Sequence, residues 1–226
     1  MNHSSPTILQ DRAAAGRRLI EPLLSYARRP DVIVLALPRG GVPVAYEVAT
    51  ALEVRLDLML VRKLGVPSHQ EFAMGAIASG GIQILNEQAL RAHPIDQAAF
   101  DAVVARETRE LLRREQVYRG TRAPMQLKDQ VVILIDDGLA TGATMMAAIH
   151  AARVHAPARI VVAVPVAPIE TAEALRREVD ELVCPVIADW FMSIGYWYVD
   201  FSQTSDGEVI DLLQRAWRRE SPPPMA

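Results

Sequence analysis

The chain alternates short apolar runs with amphipathic stretches, and their spacing predicts the elements in order. Residues 11–28 carry Leu19, Ile20, Leu23, Leu24 and Ala27 at helical intervals, interrupted by Pro22. A proline removes a backbone donor and clashes one turn back, so a kink or two shorter helices are expected. Residues 32–37 form a continuous β-branched and leucine run that stops at Pro38-Arg39-Gly40-Gly41. This predicts a buried strand, a glycine-rich turn and a helix over about 42–52. A second strand is expected over 56–61, stopping at Arg62-Lys63-Leu64-Gly65, with a loop in the mixed polar segment 66–72. Residues 73–78 and 83–85 flank Ser79-Gly80-Gly81 and read as a hairpin.

Further along, Phe100, Val103, Val104, Leu111 and Tyr118 line one face of a long surface helix over 96–118, which Gly120 ends. Residues 131–135 make the most strand-like run and pass through Asp136-Asp137-Gly138-Leu139-Ala140-Thr141-Gly142-Ala143-Thr144 into an apolar helix. Met145 and Met146 read as core of that helix. A strand over 160–164, a helix over 170–178 and a strand over 182–186, with Cys184 as an interior residue, repeat the alternation. Ser205 and Glu208 form a capping box ahead of a last helix, and the tail SPPPMA is expected to fray. Successive βα units predict an α/β fold with a mainly parallel central sheet and helices on both faces.

Composition narrows the partners. Half of the 226 residues are apolar and 23% are charged, enough for one autonomously folding domain. Lys and Arg total 24 against 27 Asp and Glu, a net charge of −3, so no general attraction for nucleic acid or anionic lipid is expected. The arginine dyads at 17–18, 28–29, 113–114 and 218–219 read as solvated helical faces. Cys184 is the single cysteine, which excludes an internal disulfide and fits a reducing compartment, with the cytoplasm as the economical expectation. The N-terminal residues do not read as a secretory leader. The longest apolar run, residues 160–169, is half a membrane span and contains two prolines, so no membrane insertion is expected.

In open α/β sheets ligands sit beyond the carboxyl ends of the strands, which groups the loops after residues 37, 61 and 135 into one candidate site. Thr141, Gly142, Ala143 and Thr144 lie where a helix starts, so free N–H groups and hydroxyls there form a nest for a phosphate monoester. Asp136 and Asp137 beside it would repel that phosphate unless they face hydroxyl donors or a divalent cation. A ribose 5-phosphate with magnesium supplies both. The fingerprints G-x-x-x-x-G-K-[ST] and G-x-G-x-x-G are absent, and Gly138 replaces the second aspartate of a phosphatase-type D-x-D pair.

The segment VVILIDDGLATGAT resembles the phosphoribosyl pyrophosphate motif of type I phosphoribosyltransferases. LPRGG is similar to that family's pyrophosphate loop, and VRKLG with the irregular segment after it to its basic flexible loop. EFAMGA, VAVPVA and YVDF extend the resemblance over roughly residues 9–217, to a group of stand-alone bacterial phosphoribosyltransferases. The resemblance implies a single domain over 1–226, with a core at about 30–188, a small hood or flap at about 189–219 and a tail at 220–226. It implies transfer of phosphoribosyl from phosphoribosyl pyrophosphate to a nitrogenous, base-like acceptor, with Mg2+ as cofactor and pyrophosphate as product.

By the same resemblance Asp136 and Asp137 bind the ribose hydroxyls and help position magnesium, directly or through water. Ala140, Thr141, Gly142, Ala143 and Thr144 hold the 5-phosphate. Arg39, Gly40 and Gly41 approach the pyrophosphate, at a loop where the family often has a cis peptide, and Arg62 and Lys63 neutralise it as it leaves. Ala140 stands where members acting on 6-oxopurines commonly have an aspartate. The pattern ATGAT beside VRK is closer to adenine-type members, which would give Glu71 a proton-transfer or base-contact role, against the simpler reading of a solvated carboxylate. His69 reads as an exposed loop residue. Gly138, in place of a bulky residue, is expected to loosen the loop. Trp190, Phe191, Tyr196, Trp197, Tyr198 and Phe201 fall in the hood, where core packing or a homodimer seam is preferred over stacking on a flat base. A non-catalytic sensor of the same ligand with a protein or RNA partner, and a phosphatase, are the competing functions.

Overall fold

The computed structural model describes residues 8–67, 69–92 and 95–220. Five parallel strands form the central sheet in the order β2 (Arg55–Leu58), β1 (Val32–Ala36), β6 (Val131–Ile135), β7 (Arg159–Ala163) and β9 (Glu181–Val183). β1 and β6 pair in register from Val32 with Val131 to Ala36 with Ile135. Both are buried along their whole length, which is why they read as unbroken apolar runs.

Strand periodicity divides the core cleanly. Val32, Val34, Ala36, Ile133 and Ile135 face one layer, which contains α1 (Arg12–Ile20), α2 (Gly41–Leu52) and α7 (Asp206–Glu220). Ile33, Leu35, Val132 and Leu134 face the other, built from α5 (Ala143–Val154) and α6 (Ile169–Arg176). Helices therefore cover both faces of a parallel sheet, as the alternation predicts. Asp11 caps α1 through Ala14 N at 2.6 Å, and Pro22 is the second residue of a 3-10 helix over Glu21–Tyr26, the expected break. Ser205 caps α7 through Glu208 N at 3.1 Å. None of the described helices is long and apolar enough to cross a membrane.

Several boundaries differ from expectation. The second strand ends at Leu58, and the chain then leaves the parallel sheet to form β3 (Val61–Val66), β4 (His69–Ala78) and β5 (Ile82–Leu85), an antiparallel sheet. Arg62 and Lys63 thus lie within a strand, and Glu71 and His69 have strand backbone; their own side chains and residue 68 lie outside the described residues. The alternation of V-R-K-L-G-V explains this, because Leu64 and Val66 turn into the core while Lys63 is exposed. The hairpin at Gly80 and Gly81 forms as expected, with both at positive φ. α3 (Glu87–Ala92) follows, then α4 (Gln97–Arg119), which packs on β3 and β4.

The expected strand over 182–186 is two, β9 and β10 (Val186–Ala188), and β10 pairs with β8 (Val166–Pro168) in a separate two-stranded sheet. Cys184 falls between them, and burial pushes its thiol up to about 11. Met145 is fully buried and Met146 packs partly against the same layer. Arg28 and Arg29 lie in the turn after the 3-10 helix and pair with Glu53 and Asp31. The tail 221–226 lies outside the described residues.

The hood boundary also shifts. Val209, Leu213 and Ala216 of α7 are buried in the first core layer, and Trp217 Nε1 donates to Leu56 O at 2.9 Å. The last helix therefore belongs to the core, as do residues 9–26; the part beside the candidate site is the segment before Asp206.

Candidate active site

The loops after β1 and β6 meet at the carboxyl ends of the two central strands. Leu37 N donates to Ile135 O at 2.9 Å, which continues the pairing into the loops. The peptide between Pro38 and Arg39 is cis, and α2 starts at Gly41. A Cβ on Gly40 would lie 2.0 Å from Asp137 Oδ2, and one on Gly41 would lie 2.7 Å from Ile135 O and 3.2 Å from Asp136 Oδ1. The backbone of the first loop thus rests directly on the acid pair, and only glycine permits that approach.

Asp136 Oδ1 accepts the Asp137 N–H at 2.8 Å. Burial, reinforced by the negative charge of Asp137, pushes the Asp136 carboxyl well above the usual carboxylate range. Asp137 is 8% exposed; burial raises it too, opposed by Arg12, whose Nε donates to its Oδ2 at 2.8 Å. Two adjacent carboxylates, one buried and one half-buried, with one arginine beside them suit a divalent cation completed by ligand oxygens or water. Among the described residues no group of three or more acidic, histidine or cysteine side chains forms a cage of its own.

The phosphate-type loop is braced from outside. Leu139 N donates to Val166 O at 2.9 Å, and Thr171 Oγ1 donates to Ala140 O at 2.7 Å. Gly142 has φ +72, and a Cβ there would lie 2.7 Å from Thr171 Cγ2. Glycine is needed at this position for backbone geometry and packing as well as for access. Thr141, Ala143 and Thr144 stand at the start of α5, where first-turn amides lack intrahelical acceptors. Gly138 is buried at φ +153, and a Cβ there would fall 2.7 Å from Ile194 Cγ2. The hood side chain of Ile194 fills the space a larger residue would take.

The basic residues divide. Arg62 lines a small cleft with Pro38, Arg114 and Thr144, so β3 reaches the same edge as the two loops. Its guanidinium is bonded to Glu107 at 2.5 and 2.9 Å. Arg39, one third exposed, leans toward Asp206 at 3.5 Å, and Asp206 also accepts from Tyr118 Oη at 2.7 Å. Burial and that carboxylate push Tyr118 up to about 12.

Sequence reasoning missed the residues that hold the acid pair. Arg12 Nη1 donates to Ser202 O at 2.6 Å, and its guanidinium lies 4.1 Å from the Phe201 ring centroid. Tyr198 Oη donates to Asp137 O at 2.6 Å, and burial pushes that phenol up. One signal was available: Arg12 is the first residue of its helix, where a cation opposes the helix dipole. The aromatic stretch is split, with Trp197 and Tyr198 buried while Trp190 and Tyr196 stack edge to face at 5.2 Å and stay exposed.

The parallel sheet carries at its carboxyl edge a glycine loop, an acid pair and a helix start with free amides, the place where open α/β sheets take their ligands. The phosphoribosyl transferase domain model matches residues 7–201, and the chain belongs to that family. Over 211 residues it is 43% identical to Rv0571c of Mycobacterium tuberculosis H37Rv, whose name assigns it provisionally to the phosphoribosyl transferases. That match covers 93% of this chain and 47% of the relative, so the chain spans about half the length of the curated relatives it matches. The crystal structure of TT1426 from Thermus thermophilus is 41% identical with a TM-score of 0.81, over 92% of this chain and 98% of that one.

Proposed function

We propose that the chain is a phosphoribosyltransferase that moves the phosphoribosyl group of phosphoribosyl pyrophosphate to a nitrogenous, base-like acceptor. The observation that carries this reading is the side-chain-free contact of Gly40 and Gly41 with Asp136 and Asp137. It sets a loop suited to pyrophosphate against carboxylates suited to a ribose diol, one helix start away from a phosphate nest.

In this reading Thr141, Gly142, Ala143 and Thr144, with Ala140, fix the 5-phosphate, and the acid pair accepts from the ribose hydroxyls. Each such charge-assisted bond is worth roughly 1.5–3 kcal/mol. The bond from ribose C1 to the pyrophosphate oxygen breaks with its electron pair leaving on pyrophosphate, and the acceptor nitrogen forms the new bond. Positive charge develops on the ring beside the acid pair, while Arg39 and Arg62, at the same edge, face the charge leaving. The acceptor's proton passes to Glu71 or to solvent. Asp136 and Asp137 would hold magnesium jointly with substrate oxygens, and the bound ion would supply charge neutralisation on the pyrophosphate side. Ala140 brings a methyl group where a carboxylate would serve a 6-oxopurine, which favours acceptors of the adenine type. A cytoplasmic setting belongs to the same reading.

The test incubates the chain with magnesium, phosphoribosyl pyrophosphate and a panel of bases and amines, following pyrophosphate by coupled assay and products by mass. Pyrophosphate release that depends on one acceptor, with the matching nucleotide, is expected. Release at the same rate with water alone, or binding without release for every acceptor, would refute the transferase.

A further inference from the structure

We propose that Arg12 is a positioning residue of the phosphoribosyl site. Clamping one oxygen of Asp137, it fixes that carboxylate beside the more open Asp136 and ties the hood to the acid pair. This inference rests on the function proposed above and deepens it.

The acid pair is asymmetric. Asp137 Oδ2 is bonded to Arg12, its main-chain carbonyl is bonded to Tyr198 Oη, and its side chain is 11% exposed. Asp136 is the more accessible of the two, and its Oδ1 accepts the Asp137 N–H. A carboxylate fixed on two sides holds its remaining oxygen and its neighbour at a set spacing for a diol.

Arg12 is itself built in. Its side chain is 12% exposed, and it holds Asp137, the Ser202 carbonyl and the face of Phe201 at once. A planar guanidinium can satisfy all three, whereas an ammonium is a point charge. Residues beside it join the same two segments: Leu9 N donates to Trp197 O, Val199 N to Leu9 O, and Asp200 N to Gln10 O, at 2.8 to 2.9 Å. Residues 9–12 and 197–202 therefore form one clasp that closes on Asp137, and Asp137 in turn touches the Gly40 position. Arg12 acts through this carboxylate, because its own bonds are made to protein.

The experiment is a double-mutant cycle read by titration calorimetry with two probes, phosphoribosyl pyrophosphate with magnesium and inorganic phosphate alone. Arg12→Met should weaken phosphoribosyl pyrophosphate binding about tenfold or more while leaving phosphate affinity within about twofold, since the nest is untouched. Arg12→Lys should bind at least about threefold better than Arg12→Met. In an Asp137→Asn background, Arg12→Met should cost less than about threefold more, the non-additivity of groups that act as a pair. Unchanged binding by Arg12→Met, equal loss for both probes, no rescue by lysine, or full loss persisting beside Asp137→Asn would each overturn the positioning role. Should Arg12→Met fail to fold, Arg12→Lys carries the same cycle. Failure of the wild-type chain to bind either probe would instead overturn the phosphoribosyl reading itself.

Discussion

Gly40→Ala isolates the contact on which the site is built. Gly40 has ordinary helical angles, φ −59 and ψ −33, so the backbone accepts alanine without strain and only space is tested. The added methyl would sit 2.0 Å from Asp137 Oδ2 and 2.6 Å from its Cγ, far inside ordinary van der Waals contact. Relief requires moving either the loop or the carboxylate, and the carboxylate is held by Arg12 at 2.8 Å. Overpacking of this kind costs about 1–3 kcal/mol, and weakening the charge-assisted bond adds up to roughly 1.5–3 kcal/mol. At about 2–4 °C per kcal/mol for a chain of this size, thermal melting should fall by roughly 2–24 °C. Binding of phosphoribosyl pyrophosphate, followed by calorimetry on the folded fraction, should fall with it. Gly207→Ala is the control: only Ser205 Oγ approaches, at 3.9 Å, and alanine in a helix is neutral to stabilising. A Gly40→Ala protein that melts within about 1 °C of wild type and binds normally would refute the close approach of loop and acid pair.

Two further outcomes follow from the same geometry. Tyr198→Phe removes the donor to Asp137 O and should lower stability by about 1–2 kcal/mol, seen as a fall of a few degrees in melting; an unchanged melt would mean that the bond contributes nothing. Glu107 is pushed up by burial, but Arg106 and Arg62 outweigh this and hold its carboxyl below the ordinary value of 4.5. Its contribution is therefore full above that value and lost as pH falls through the depressed one. The stability gap between wild type and Glu107→Gln should be constant near neutrality and close in acid; a gap that widens on acidification would contradict the sign.

What was legible along the chain was whatever is local. β1 and β6 announced themselves as apolar runs because both of their faces are buried, and Gly40, Gly41 and Gly142 marked turns because few other residues fit there. The motif from Asp136 to Thr144 is contiguous, so its order alone pointed to a phosphate loop beside an acid pair. The boundary at Arg62 was misjudged because β3 is defined by its partner β4, and an irregular composition can still pair when two of its side chains reach the core.

The sequence by itself determined the βα alternation, the helix cap at Ser205, and the acid pair and helix start that follow β6, since each depends on neighbours within a few positions. Only the tertiary structure decided that Arg12 would clamp Asp137 across 125 positions, that Arg62 would be held by Glu107, and that α7 would join the core. Periodicity states which face of an element is apolar. What that face meets is settled by the packing of all the elements together, and the partners of buried charges are chosen there, because an unpaired charge cannot remain in a dry interior.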